Sequence, residues 1–203
     1  MITLTEHEMI RVRQRREIAE FFGFETRNKY EIQNAMASPI GFAAEQGRGL
    51  WGLLARGFLG HWRNFEIHIF NFDRSPWLVL RHPFRWFFQR IEVSDTAGEK
   101  IGALQQRFSI LTRCFDLEDS RGSARFQMRA GFFSFWTFPI YQGQLKVAQI
   151  EKKWSGLLRE AFTDSDHFEV HFHSENLTEA DRQVILAASL FVDLQYFERK
   201  ANR

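Results

Sequence analysis

The sequence predicts a mainly β protein, a closed antiparallel barrel of about twelve strands around one buried C-terminal helix. Three observations point there. From Lys29 to Phe172, short runs alternate between apolar and polar residues and recur roughly every 8–12 residues. Turn signals separate those runs, with no long helical stretch between them. The last element is a helix that is apolar on nearly every side, so it must be surrounded.

The elements follow in order. Thr5 and Glu8 fit a capping box that would start a helix near residue 6, yet Met9-Ile10-Arg11-Val12-Arg13-Gln14 also reads as a short strand. Arg15 to Phe22 reads as helical, stopped by Gly23. Tyr30 to Ala35, Phe65 to Phe70 and Arg90 to Val93 alternate with period two. Ser38-Pro39, Ser75-Pro76, Asp95-Thr96-Ala97-Gly98, Asp119-Ser120-Arg121-Gly122 and Gln142-Gly143 mark turns. No Pro- or Ser-rich linker divides the chain. One domain is expected over 1–203, with a lead-in at 1–28, the barrel at 29–173 and the central helix at 178–198.

Thr178 is a good N-cap for that helix, with Glu179 and Asp181 in its first turn. From Val184 to Phe197 the helix would span roughly 21 Å, whereas a bilayer core needs about 20 apolar residues. Asp193 also interrupts the run, and a carboxylate in mid-membrane is costly. The expected solvent for the helix is therefore the chain's own β-wall. A closed barrel has no exposed sheet edge and can hold such a helix in its lumen.

Composition sets further bounds. The chain has 203 residues, enough to bury roughly 70% of its unfolded surface without a disulfide or metal. Its 23 Phe and 6 Trp imply a thick core or apolar surface that meets a partner. A net charge of +2 is too mild to imply nucleic acid. It permits attraction to anionic headgroups if the charge clusters. Cys114 is the single cysteine, which fits a reducing compartment, and it reads as a buried structural thiol. The N-terminus shows no secretory pattern.

Several candidate sites arise from the residues alone. Trp51, Leu54, Phe58 and Trp62 fit a helical stripe beside Arg48, Arg56 and Arg63, suited either to a bilayer interface or to a loop over one barrel end. His167, His171 and His173 share a strand face with Glu169, a pattern that can chelate zinc or be a solvated outer face. Gly47-Arg48-Gly49-Leu50-Trp51-Gly52 matches a dinucleotide fingerprint by letter but lacks the strand–turn–helix context. No constellation suited to catalysis stands out, so no catalytic residue is predicted.

The barrel threaded by its C-terminal helix is the tubby-like fold, and particular blocks resemble the phospholipid scramblase family within it. Phe24-Glu25-Thr26-Arg27-Asn28-Lys29-Tyr30-Glu31-Ile32 resembles the family's opening signature. Arg90-Ile91-Glu92-Val93 is similar to the segment after its cysteine cluster. Lys153-Trp154-Ser155-Gly156-Leu157-Leu158-Arg159-Glu160-Ala161-Phe162-Thr163-Asp164-Ser165-Asp166-His167-Phe168 carries the strongest likeness. The blocks keep family order from about Met9 to Glu198.

The resemblance implies a lipid-binding protein, not an enzyme, peripheral on anionic phospholipid and able to move lipid between leaflets. It also implies a cytoplasmic location at the inner membrane face, and possible homo-oligomers. The alternative is a soluble module for protein or DNA partners on the same scaffold. The family's proline-rich extension and palmitoylated cysteines have no counterpart in this sequence. Arg85, Trp86 and Arg90 occupy the cysteine segment, either as barrel wall or as a lipid-interface segment. Lys152, Lys153 and Arg159 are candidates for headgroup contact. The family's proposed calcium segment falls on Asp164 to Glu175, with Asp164 and Asp166 as its first acidic pair. A calcium loop needs glycine at its sixth position, where Glu169 stands, and the alternation there reads as a strand. No cofactor is therefore expected, with calcium the alternative.

Overall fold

The computed structural model describes residues 1–15, 29–46, 64–131, 136–153 and 167–197. Twelve strands run in chain order: β1 (Met9–Gln14), β2 (Lys29–Asn34), β3 (Pro39–Glu45), β4 (Phe65–Asn71), β5 (Pro76–His82), β6 (Arg90–Asp95), β7 (Lys100–Arg107), β8 (Thr112–Asp119), β9 (Ala124–Gly131), β10 (Thr137–Gln142), β11 (Leu145–Lys153) and β12 (His167–Phe172). Each pairs antiparallel with its neighbour in sequence, and β1 pairs with β12 to close the barrel. The helix α1 (Glu179–Val192) threads the lumen and continues as a π-helical turn, Asp193–Phe197.

Period two explains the wall. Ile10 and Val12, Ile67 and Ile69, Phe115 and Leu117, and Phe168 and Val170 point inward and are buried. Arg11, Glu169 and Glu151 lie side by side on the outer face, in register across β1, β12 and β11. A membrane-spanning barrel has the reverse pattern, with an apolar band outside. The lumen is filled by α1, whose Ile185, Leu186, Leu190 and Phe191 are at most 1% exposed. Each such side chain contributes roughly 1.5–3 kcal/mol of burial. Among the described residues no helix is long and apolar enough to cross a membrane.

The N-terminus resolves an ambiguity and corrects one expectation. Met9–Gln14 is a strand, flanked on both sides by partners, and it is the stave that closes the barrel. No helix starts from a Thr5–Glu8 box. Leu4–Glu6 makes only a 3₁₀ turn, and the Thr5 backbone N–H donates to Glu179 of α1 at 3.0 Å. A long-range carboxylate has taken the group a local cap would use. Arg15 continues the strand, its N–H donating to the Lys29 carbonyl. The rest of the helix expected from Arg15 to Phe22 lies outside the described residues.

The five even-to-odd connections are tight hairpins, all at one end, and they fall where the sequence signals turns. Three share one device. Asn34, Asp95 and Asp119 each accept two backbone N–H groups of the turn that follows, from Met36 and Ser38, Ala97 and Glu99, and Arg121 and Ser123. Gly98 and Gly122 hold the left-handed position, with φ of 88° and 85°; Ala37 holds it at 60°.

The first residues plug one side of this hairpin end, and a partly open cavity of about 220 Å³ lies between the start of α1 and the β8–β9 hairpin, reaching Leu117 and Val184. Ile2 and Leu4 are buried, and the Ile2 N–H donates to Asn71. The buried Arg182 of α1 donates to the Leu4 and His7 carbonyls at 3.0 and 2.6 Å and lies over the Phe172 ring. Thr178 caps α1 as expected. Its hydroxyl accepts the Asp181 N–H, and the Asp181 carboxylate accepts the Thr178 N–H, which completes a capping box. Gly102 lies so close that an added Cβ would sit 2.4 Å from the Glu118 carbonyl oxygen and 2.6 Å from Val184.

Candidate functional site at the opposite end

All odd-to-even connections leave and re-enter at the other end, where α1 also finishes. The connection between β5 and β6 is exposed and aromatic. Trp86 is 61% exposed and Phe87 84%, with Phe84 packed edge-on to Trp86. The connection between β7 and β8, two strands further round, exposes Phe108, Ile110 and Leu111 at 75–77%. The hairpin end also exposes apolar residues, Met1, Met36, Phe72 and Leu145, each on a separate segment. Contiguity distinguishes a contact surface from ordinary scatter.

The aromatic connection has a firm base. The buried pair His82 and Gln89 closes its neck, with His82 Nε2 and Gln89 Oε1 2.7 Å apart. The Gln89 N–H donates to the Gln106 side chain, and the Gln106 N–H donates to the Gln89 carbonyl. His82 stacks on Phe65 at 4.6 Å and faces Phe191 of α1. The exposed rings thus stand on a clamp that reaches the central helix.

The candidates from the cysteine-replacing segment are therefore divided. Residues 83–89 are not barrel wall, because no ladder forms until Arg90. Arg85 and Trp86 are exposed in the connection. Arg90 is wall, and donates to Glu118 at 2.8 Å, Gln105 at 3.0 Å and Glu92 at 3.2 Å. Burial opposes its charge, but Glu118 and then Glu92 outweigh that and raise its pKa.

Strand alternation also parts Lys152 from Lys153. Lys153 faces outward, 2.8 Å from Glu151, which holds its ammonium pKa above the usual range. Lys152 follows Ala148 and Ile150 into the lumen. Its side chain is 8% exposed, 3.9 Å from Asp193, with the ammonium 4.1 Å from the Phe197 ring centre and 5.2 Å from that of Phe168. Asp193 also accepts the Tyr30 hydroxyl at 2.9 Å. Arg113 lies 4.5 Å over Tyr196 in the same π turn. The lumen is thus mainly apolar through its middle and charged at this mouth, as it is around Arg182 at the other end. Neither the Asp193 contacts nor the π turn was read from the sequence, where Asp193 registered as an interruption of the apolar run and as part of a family-like helix end. The signal was present: Tyr30, Ile32 and Ala148, Ile150, Lys152 keep a period that carries the polar residue inside.

On the outer wall, the His face is half-solvated, as one of its two readings held. Glu169 sits between His167 and His171, at 3.4 and 3.3 Å, and pairs with Arg11 at 3.2 Å. His173 lies past the strand end, exposed and stacked on His171. Glu151, Glu169 and His171 offer ligand atoms within 4.8 Å of one another. Arg11 and Lys153 already neutralise those carboxylates. Burial pushes the Glu169 carboxyl up, but hydrogen bonds from Arg11 and His167 outweigh it and hold it low.

The calcium segment does not form a wrapping loop, because its residues 167–172 are β12, laddered on both sides. Asp164 and Asp166 lie outside the described residues, as do Trp51, Leu54, Phe58, Trp62, Arg159 and the glycine run 47–52. Cys114 corrects a further expectation. It is half-buried on the outer face, because Phe115 and Leu117 take the inward positions. Burial, then the Asp116 charge, push its thiol pKa up, away from reactivity.

A closed twelve-strand barrel threaded by its own terminal helix defines the tubby-like class. The family model described as Scramblase matches residues 1–199, and the chain belongs to the scramblase family. It is 29% identical to phospholipid scramblase 1 of Rattus norvegicus, over 98% of this chain and 62% of that protein. It is 28% identical to phospholipid scramblase 2 of Homo sapiens, over 97% of this chain and 69% of that protein. Altered inheritance rate of mitochondria protein 25 of Saccharomyces cerevisiae is 25% identical over 98% of this chain and 73% of its own length. The chain thus spans about two thirds of the length of these scramblases. An Arabidopsis thaliana protein of known X-ray structure shares the fold, with TM-score 0.50 and 14% identity over 100% of this chain and 99% of that one.

Proposed function

We propose that this protein binds anionic phospholipid membranes peripherally, docking with the long-connection end. One observation carries the reading: two connections at one barrel end jointly present Trp86, Phe87, Phe108, Ile110 and Leu111 to solvent. Rings and aliphatic side chains of this kind partition into the headgroup–acyl boundary. Arg85 lies exposed within the aromatic run; of the two arginines that flank the second connection, Arg107 is paired with Asp116 at 2.6 Å and Arg113 lies over Tyr196, so Arg85 is the basic residue that supports this reading. Basic residues beside such rings are attracted to an anionic leaflet by about 1 kcal/mol each, and the cytoplasmic leaflet is anionic. The charged outer wall supports a docked rather than a spanning barrel. The family membership supports phospholipid as the partner. Two of the relatives are named phospholipid scramblases, and docking is the first step that any lipid translocation by this chain would require.

Co-sedimentation with vesicles containing phosphatidylserine tests this. The double variant Trp86→Ala with Phe87→Ala should weaken partition by at least about tenfold, since withdrawing even one of its two large rings from the interface costs that much. Raised salt should weaken the wild type further. Equal partition of variant and wild type would overturn this docking face. A dithionite assay with labelled lipid then measures whether docking accelerates exchange between leaflets.

A further inference from the structure

The lumen mouth contains an ammonium in an aromatic box. Phe197 and Phe168 meet edge to face at 5.4 Å, and Trp136 stacks on Phe197 at 5.5 Å. Lys152 Nζ sits 4.1 and 5.2 Å from the centres of the two Phe rings. Asp193 supplies the countercharge at 3.9 Å, longer than a hydrogen bond. Tyr30 fixes the carboxylate through its other oxygen. Charge and ring faces, without a directed N–H···O bond to Asp193, are also what recognise a quaternary ammonium, which has no proton to donate. The wider π turn is what brings Asp193 and Phe197 into this mouth, and such turns recur at functional sites.

We propose that this mouth is a receptor for a phosphate–ammonium zwitterion, the headgroup chemistry of phosphatidylcholine and phosphatidylethanolamine, with Lys152 occupying the ammonium position until ligand arrives. The ligand ammonium enters the box against Asp193. Lys152, released from it, pairs with the ligand phosphate. The Lys152–Asp193 pair is exchanged for two pairs with the ligand, and the zwitterion brings no net charge into the mouth. This rests on the reading that the same end faces the membrane, but it adds a distinct mode. Rim docking depends on anionic lipid and weakens with salt, whereas the exchange is buried, zwitterion-directed and nearly salt-independent.

The test separates the two. The wild-type protein is titrated with soluble glycerophosphocholine while the Trp136 indole N–H is followed by NMR, assigned with Trp136→Phe. A saturable shift that persists in high salt is expected. Asp193→Asn should weaken that binding about tenfold, the scale of one lost ionic contact. Lys152→Met gives the sharper readout: with the box vacated, free choline should bind about tenfold tighter than to wild type. Should Lys152→Met fail to fold, Phe197→Leu replaces it, with about tenfold weaker glycerophosphocholine binding expected. No indole shift in wild type, an equal response to inorganic phosphate, or choline binding unchanged in a folded Lys152→Met protein would each overturn the proposal. Phosphatidylcholine vesicles, run beside the soluble headgroup, distinguish a lipid ligand from a free one. If vesicles with phosphatidylserine still bind when the headgroup does not, rim docking stands and the mouth site falls. If headgroup binding persists without vesicle binding, the docking reading fails.

Discussion

At the hairpin end, Asn34, Asp95 and Asp119 each satisfy two turn N–H groups, Ile2 and Leu4 plug one side of the opening, and Arg182 ties the first residues to the helix. At the opposite end, the 83–89 connection is anchored at its base by His82 and Gln89, and Trp86 and Phe87 are exposed. The first end ties the chain's opening residues to the helix. The second exposes apolar area and places Lys152 and Asp193 just inside. The difference teaches where sequence variation is felt: as lost stability at one end, and as altered contact with an outside surface at the other.

Four variants at the hairpin end sharpen that contrast, against rim variants that should leave melting unchanged. Arg182→Ala removes two charged hydrogen bonds to buried carbonyls and should cost about 3 kcal/mol in a denaturant melt. A loss under about 1 kcal/mol would break the claim that this residue holds the plug. Gly102→Ala should cost about 2 kcal/mol, because the new methyl must displace Val184 or the β8 backbone. Thr178→Ala opens the capping box and should cost about 1 kcal/mol, read as a lower Tm. Ala37→Gly relieves a left-handed Ala and should stabilise by about 0.5–1 kcal/mol. No gain would show that the Asn34 bonds, not the φ angle, govern that turn.

Much of the fold was legible because it rests on local chemistry. The Asx-turn residues, the alternation in β4 and β12, and the Thr178 cap all act within a few residues of themselves. The exceptions have long-range causes. Thr5 and Glu8 looked like a cap, but Glu179 of the far helix took the N–H group. Met9–Gln14 could not be decided from pattern, since its identity as a strand depends on β12. The site was less legible. The sequence marked Arg85-Trp86 as aromatic and basic, yet only the ladder's gap before Arg90 shows the segment as a connection. Lys152 and Lys153 read as one patch because adjacency in sequence hides the flip of side chains along a strand. Asp193 acquires its meaning only from Tyr30, a partner 163 residues away.

The pairing of β1 with β12 has a consequence for how the molecule comes into being. Arg11 meets Glu169 across 158 residues, and the lumen filler follows later still. A ribosome releases the staves long before the axle they turn around. The emerging wall therefore has an unfilled interior and two unmatched edges, a state prone to association with other chains. Completion waits for α1, so a truncation before Thr178 should leave an aggregating sheet rather than a smaller barrel.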